Sequence, residues 1–288
     1  MTVWPPEDEG ATLVEGMDEE VYHSHPALSA SGMKVLLKSP KHFLQSRAVR
    51  VEKAAFDEGH AAHSLVLGVG APIVEVPEKL LASNGALSTT AAKEFVANAR
   101  AEGKVPLKPA TFARVNGMVA SINNNPKARR LLELAGYTEV SLFGADPETG
   151  IPLRCRMDRL TGRQIVDLKT TPDVSEHALR RVIDAFGYDL QGEVYRFIHE
   201  LVRGEVAEPV VLIFVEKEPP FDVRVVRLGD DWMDGGWRKF RRAIALYQAC
   251  LDSGAWPGVD EADGPIEELP APGWYAAENA RADLGVTV

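Results

Sequence analysis

Between Arg156 and Lys169 the chain reads Arg-Met-Asp-Arg-Leu-Thr-Gly-Arg-Gln-Ile-Val-Asp-Leu-Lys, which places Asp158, Asp167 and Lys169 within one short segment. The apolar runs on either side of Thr161-Gly162 have strand composition, and Thr-Gly is an acceptable turn, so the segment is expected to form a β-hairpin. Residues two apart on a strand share a face, so Asp167 and Lys169 point the same way. A loop of even length, such as Thr161-Gly162, adds Asp158 to that face, and an odd loop or a bulge removes it. Two neighbouring carboxylates repel and hold raised pKa values unless a cation neutralises them. A hard divalent ion does so with few protein carboxylates, leaving coordination positions for water and phosphate oxygens. A lysine in the same cluster can orient or help deprotonate an attacking water and offset phosphate charge. The chemistry this suggests is metal-assisted hydrolysis of a phosphodiester. Without further context, Asp167 and Lys169 read equally well as a surface ion pair on an edge strand.

Two more segments bear on that choice. Gln191-Gly192-Glu193-Val194-Tyr195 follows the hairpin, and Gly59-His60-Ala61-Ala62-His63 precedes it. Together with Asp158 and Asp167-Leu168-Lys169 they resemble, in order and spacing, the PD-(D/E)XK nuclease superfamily. Within it they resemble the RecB-like branch and the phage and prophage exodeoxyribonuclease VIII (RecE-like) proteins. The likeness extends to Tyr22 through Ser31, Ser39-Pro40-Lys41-His42-Phe43, Val215 through Pro220 and Trp256-Pro257-Gly258, and so covers roughly residues 20 to 275. It implies an α/β fold, a restriction-endonuclease-like core of a mixed central sheet flanked by helices, with a helical insertion. It also implies a Mg²⁺- or Mn²⁺-dependent deoxyribonuclease using one or two ions, with His63, Asp158 and Asp167 as metal ligands. Lys169 would orient or activate the water, and Gln191 and Tyr195 would position the site and the DNA strand. Finally it implies 5′-to-3′ digestion of linear double-stranded DNA in phage-type recombination, a ring-shaped homo-oligomer, and a single-strand annealing protein as partner. An endonuclease or flap nuclease with the same centre, or a DNA-binding protein without turnover, are the alternatives.

Other candidates are weaker. Tyr188, Gln191 and Tyr195 fall at i, i+3 and i+7 on one helix face, a spacing usual for core, but an amide there must be hydrogen-bonded. Glu139 and Glu193 could be supporting carboxylates, although a surface position fits each better. His60 could stand behind a ligand. His23, His25, His42, His177 and His199 have no constellation around them, and no tetrahedral zinc set can be assembled. Cys155 and Cys250 are too few for an iron–sulfur cluster or a disulfide framework, and no phosphate-loop motif for ATP is present.

The 288 residues, 45% of them hydrophobic, suffice for one domain. We expect an acidic N-terminal segment (1–27), a helical insertion (about 77–137) and an irregular tail (255–288). There is no signal-peptide pattern and no apolar run near the ~20 residues of a membrane helix, so a cytoplasmic location is expected. The net charge of −10 argues against DNA binding by the whole surface but allows a local basic channel. Arg129-Arg130, Arg180-Arg181 and the run Trp237-Arg238-Lys239-Phe240-Arg241-Arg242 are candidate phosphate contacts, each also readable as a solvated helix face.

The periodicity predicts helices from Ser29 or Ser31 to Leu37, a second short one after Ser39-Pro40, then Phe56–Leu67, Thr89–Glu102, Ala110–Asn123, Lys127–Leu134, Ser175–Arg203 and Trp232–Ser253. It predicts strands at Pro72–Val76, Thr138–Ala145, Leu153–Leu160, Gln164–Lys169, Val210–Glu216 and Phe221–Arg227.

Overall fold

The computed structural model of the chain describes residues 10–48, 58–261, 266–273 and 275, with the backbone alone for 58–60. The acidic run at Glu7–Glu9, the start of the helix expected from Phe56 and the side chains of Gly59 and His60 lie outside the described residues.

The first elements are β1 (Thr12–Val14), α1 (Glu19–Ser24), β2 (Leu28–Ser29), α2 (Ala30–Lys38), α3 (Pro40–Ala48) and α4 (Glu58–Leu67). Next come β3 (Ile73–Glu75), α5 (Thr90–Ala101), β4 (Val105–Leu107), α6 (Pro109–Asn124) and α7 (Pro126–Glu133). The central strands are β5 (Tyr137–Ala145), β6 (Pro152–Thr161) and β7 (Gln164–Thr171), followed by α8 (Glu176–Phe186), α9 (Tyr188–Arg203), β8 (Val211–Glu216), β9 (Val223–Arg227) and α10 (Asp230–Ser253). Seven strands form one mostly antiparallel sheet in the order β1-β5-β6-β7-β8-β9, with β2 added alongside β6; only β2–β6 and β7–β8 pair in parallel. β3 and β4 make a separate two-stranded parallel ladder.

The sheet is covered on both faces because its strands carry apolar residues on both. Ile165 of β7, Leu212 and Phe214 of β8, and Cys155 and Met157 of β6 pack under α2, α9 and α10. Val166, Leu168, Val211, Ile213 and Val215 pack instead against Ala61 and Ala62 of α4, Val115, Met118 and Ile122 of α6, and Ala128 of α7. The segment expected as a helical insertion thus forms the second covering layer together with α4, and it contains a strand, β4, as well as helices. Pro106 in the middle of β4 gave the strand no sequence signal.

One expectation needs correction here. The helix expected over Ser175–Arg203 is two helices, broken at Gly187 in the left-handed conformation (φ +61°). The apolar periodicity runs on across the break, which hides a glycine whose added Cβ would stand 2.9 Å from Lys34 Cδ. The N-terminal region is also built into the fold, since β1 pairs with β5 and α1 packs Tyr22 at 7% exposure.

Candidate active site

The β6–β7 hairpin turns at Gly162-Arg163, one residue later than expected, with Thr161 opposite Gln164 and Gly162 in the left-handed region. The loop is still even in length, so continuing the register sets Asp158 opposite Asp167. The ladder itself stops at Arg159 and Val166. Beyond that point the strands part, and the Leu168 N–H donates to Asp158 Oδ2 at 2.7 Å.

Alternation slips on the other side of β6 at the same level. The residues facing the first core run Leu153, Cys155, Met157 and then Leu160; on β5 they run Leu142, Val140 and then Tyr137. The step falls at Asp158 and at Glu139, which are opposite each other by register. Glu139 has φ +50°, a conformation that costs a non-glycine residue energy and is kept only where the surroundings enforce it. The distortion opens the sheet between its two covering layers and lets Asp158 and Glu139 reach toward α4.

His63 on α4 meets both carboxylates. Its Nε2 lies 2.8 Å from Asp158 Oδ2 and its Nδ1 3.1 Å from Glu139 Oε1. The three residues offer one ligand atom each within 4.8 Å of one another, a set that could hold a metal ion. Burial disfavours the imidazolium, but Asp158 and Glu139 outweigh it and raise the His63 pKa to about 9. Burial raises Glu139 to about 7, with the Asp158 charge adding to it. Asp158 goes the other way: burial works against its charge, but His63, Lys169 and the Leu168 N–H hold it below the usual carboxylate range.

Asp167 sits beside this group on the α9 side. It is 2% exposed, forms an ion pair with Lys169, and accepts a 3.0 Å hydrogen bond from Gln191 Nε2 at Oδ1. The same Gln191 nitrogen donates to the Tyr195 hydroxyl at 2.8 Å, so the amide ties α9 to β7. Burial, then the Asp158 charge, lift Asp167 to about 6 despite Lys169. Lys169 is raised above its ordinary value: burial opposes its charge, but Asp167 and Asp158 outweigh that. Its Nζ also lies 4.8 Å from the Tyr188 ring centre.

The cleft over these groups encloses about 770 Å³ and is lined by His63, Glu139, Asp158 and Tyr195 on one side and Met17 and Glu19 on the other. Part of its wall is therefore the N-terminal segment. Arg156 fastens that wall, with Nη2 donating to the Met17 carbonyl and Nε to Ser141 Oγ (3.0 Å), and with Glu139 Oε2 3.8 Å away.

The structure thus brings together His63, Asp158, Asp167, Lys169, Gln191, Tyr195 and Tyr188. None of the basic candidates is among the residues lining the cleft. Lys239 pairs with Asp184 (3.1 Å) and buried Asp189 (2.8 Å), and Arg241 pairs with fully buried Asp146 (2.6 Å), so both hold the fold together. Arg180 pairs with Glu176 at 2.5 Å and Arg129 with Glu133 at 3.8 Å. Arg130, Arg181, Arg238 and Arg242 are exposed. The surface positions expected for two acids are corrected: Glu139 lines the cleft, and Glu193 is buried and paired with Arg196 at 2.5 Å. Glu139 reads in the sequence only as a weak supporting carboxylate because its role depends on a strand distortion, whereas strand alternation alone places it without partners.

Residues 29–263 match the family described as "PDDEXK-like domain of unknown function (DUF3799)". The chain belongs to this family. A PDDEXK-like domain is a nuclease fold whose enzymes use divalent ions, which agrees with the cluster of His63, Glu139 and Asp158. Among solved structures, a protein from Eubacterium rectale described as a "putative exonuclease" superposes with a TM-score of 0.59 at 15% identity. The alignment covers 90% of this chain and 97% of that one, and it speaks for a shared fold. SSO0001 aligns over 64% of this chain and 84% of its own at 12% identity, with a TM-score of 0.27, too low to argue from. No curated protein matches the chain. Among the described residues, no helix is long and apolar enough to cross a membrane.

Proposed function

We propose that this DUF3799 chain is a divalent-metal-dependent exodeoxyribonuclease acting on linear double-stranded DNA, its 288 residues forming one nuclease domain. The observation that carries the reading is the opening of the sheet at Asp158, which sets the His63–Glu139–Asp158 group beside the buried Asp167–Lys169 pair. One imidazole and two carboxylates suit Mg²⁺ or Mn²⁺, and burial, with the Asp158 charge adding to it, raises the pKa values of Glu139 and Asp167, a penalty that a bound cation would offset. Asp167, through the oxygen that Lys169 now occupies, is the further ligand, and a second ion bound together with DNA fits the number of acids. A bound ion would supply Lewis-acid polarisation of the scissile phosphate and activation of the attacking water.

The protein groups do the rest. Held charged by its two aspartates, Lys169 acts as a cation that orients the water and offsets charge building on the phosphate, rather than as a base taken from bulk solvent. Gln191 fixes the Asp167 carboxylate, Tyr195 fixes Gln191, and Tyr188 limits where the Lys169 ammonium can go. The resemblance, rather than any distance, supports 5′-to-3′ polarity, a role in phage-type recombination with a single-strand annealing partner, a ring-shaped oligomer and a cytoplasmic setting.

The test is digestion of an end-labelled linear duplex beside a closed circle of the same sequence, by wild type and Lys169→Ala, with Mg²⁺ and with EDTA. Metal-dependent loss of the linear DNA alone, abolished in the variant, is expected, and the label gives polarity. Cutting of the circle would replace the exonuclease by an endonuclease, and no cleavage of either would remove the catalytic reading.

A further inference from the structure

Arg154 has a buried charge with nothing to neutralise it. It lies on β6 opposite Ser29 and Phe143, is 8% exposed, and has its guanidinium 4.6 Å from the Tyr22 ring centre. One nitrogen, Nη2, donates to the His23 carbonyl at 3.4 Å; Nε and Nη1 are buried without a partner. No carboxylate pairs with it among the described residues, and the charges of Arg47 and Arg156 oppose its own. A guanidinium taken from water and left with open donors is strongly unfavourable unless an anion completes it.

A second open donor stands nearby. His25 Nδ1 accepts a hydrogen bond from the Ala27 N–H at 3.1 Å, which places the proton of the neutral ring on Nε2, and Nε2 is buried without a partner. Arg154 and His25 line a cavity of about 380 Å³ together with Arg47, His23, and Ser29 and Gly32 from the N-terminal turn of α2. Among the described residues, no aspartate or glutamate lines it, in a chain of net charge −10. Ser29 caps α2 by accepting from the Gly32 N–H at 3.2 Å, so the positive end of that nine-residue helix also faces the cavity. His23 lines both this cavity and the catalytic cleft, so the two are neighbours.

We propose that this cavity binds a phosphate group, held by Arg154, Arg47 and His25 Nε2 at the N-terminus of α2. The identification of that phosphate as part of the substrate rests on the nuclease reading: it is a phosphate of the DNA strand other than the one being cleaved. It is either a terminal phosphomonoester or an internal phosphodiester, and the two sources share the same recognition chemistry. Planar N–H forks and a helix amino end suit a tetrahedral oxyanion, and an anion there would satisfy the unpartnered Arg154 nitrogens.

The experiment uses the full chain in EDTA, so that no cleavage occurs. Inorganic phosphate binding is measured by calorimetry for wild type, Arg154→Gln and Arg47→Ala. Duplex binding is then compared for ends carrying phosphate or hydroxyl at either terminus. Arg47 is exposed, so its truncation leaves the fold intact even if Arg154→Gln does not fold. Wild type should bind phosphate, and each variant that folds should lose about tenfold in affinity. A preference for phosphorylated ends that disappears in Arg47→Ala identifies a terminal phosphate; equal losses for all duplexes identify an internal one. Absence of phosphate binding by wild type, or affinities unchanged in Arg47→Ala, overturns the proposal. Phosphate binding without duplex binding, both in EDTA and with Ca²⁺ in its place, would keep the site and overturn the nuclease reading instead.

Discussion

In the metal-free protein the His63 imidazolium occupies the position between Asp158 and Glu139 that a cation would take, so metal must compete with a proton. With the His63 pKa at about 9, about one molecule in a hundred has a neutral imidazole at pH 7. Displacing the proton then costs about 2.7 kcal/mol, two pKa units at about 1.36 kcal/mol each. The apparent affinity for Mn²⁺ should therefore rise about tenfold per pH unit from 7 to 9 and level off above. The direction for stability follows from the same shift. A histidine whose folded pKa lies above the ordinary 6.5 stabilises fully below pH 6.5 and loses that contribution as pH rises through about 9, a loss of about 3.4 kcal/mol. Glu139 and Asp167, also raised, destabilise as pH rises too, but their windows close by about pH 7 and 6. The decline above pH 7 thus belongs to His63. Free Mn²⁺ can be counted by its paramagnetic resonance signal across this range, and stability followed by urea unfolding with EDTA. Affinity independent of pH in wild type, or a pH slope that survives in His63→Gln, would refute the assignment of His63 as a ligand.

Three further outcomes are expected. Gln191→Leu removes the donor to Asp167, so unfolding free energy should fall by about 1–3 kcal/mol and single-turnover cleavage by about tenfold or more, with metal affinity less affected; unchanged cleavage would show that Gln191 has no positioning role. Replacing Glu139 by Gly or by Ala deletes the same carboxylate, but only Gly accepts φ +50° freely; Gly should be the more stable by about 1 kcal/mol in urea while both lose metal affinity alike. Lys239→Met leaves buried Asp189 without its cation and should destabilise by about 3 kcal/mol, near the lower end for a buried pair because the lysine is partly exposed. The salt dependence of DNA binding should not change, since Lys239 is engaged within the fold.

Much of the framework is legible in the sequence because the strands of the sheet centre are apolar on both faces and the helices carry clear periods and stops. The catalytic hairpin is legible for a simpler reason: parity of an even loop is insensitive to whether the turn falls at Thr161 or Gly162. Features set by tertiary contact are not legible. Gly187 breaks a helix whose apolar pattern is continuous, β4 forms around a proline because β3 lies beside it, and Glu139 reaches the cleft only through a backbone conformation that tertiary packing imposes. The basic clusters show the converse. Adjacent arginines and lysines suggest a DNA surface, but Lys239 and Arg241 are consumed by Asp189, Asp184, Asp146 and Glu148, acids far away in sequence.

Those same facts bear on how an acidic chain could hold DNA. With Lys239 and Arg241 committed, Arg156 lines the cleft, Lys169 pairs with Asp167 beside it, and Arg154 and Arg47 line the neighbouring cavity. Arg154 and Arg156 clasp the Tyr22 ring at 4.6 Å each, so the N-terminal helix is part of the cationic wall rather than an acidic flap beside it. Glu19 on that helix faces the cleft as well, and its charge adds to the rise in the Glu139 pKa. The N-terminal segment thus contributes attraction for phosphate through the arginines it covers and attraction for metal through the acid it carries. Phosphate and metal would each relieve a repulsion that the folded chain sustains without them, among the guanidiniums in one case and among the carboxylates in the other. Binding of the two should therefore be mutually reinforcing, because each neutralises charge that weakens the hold of the neighbouring site on its own ligand.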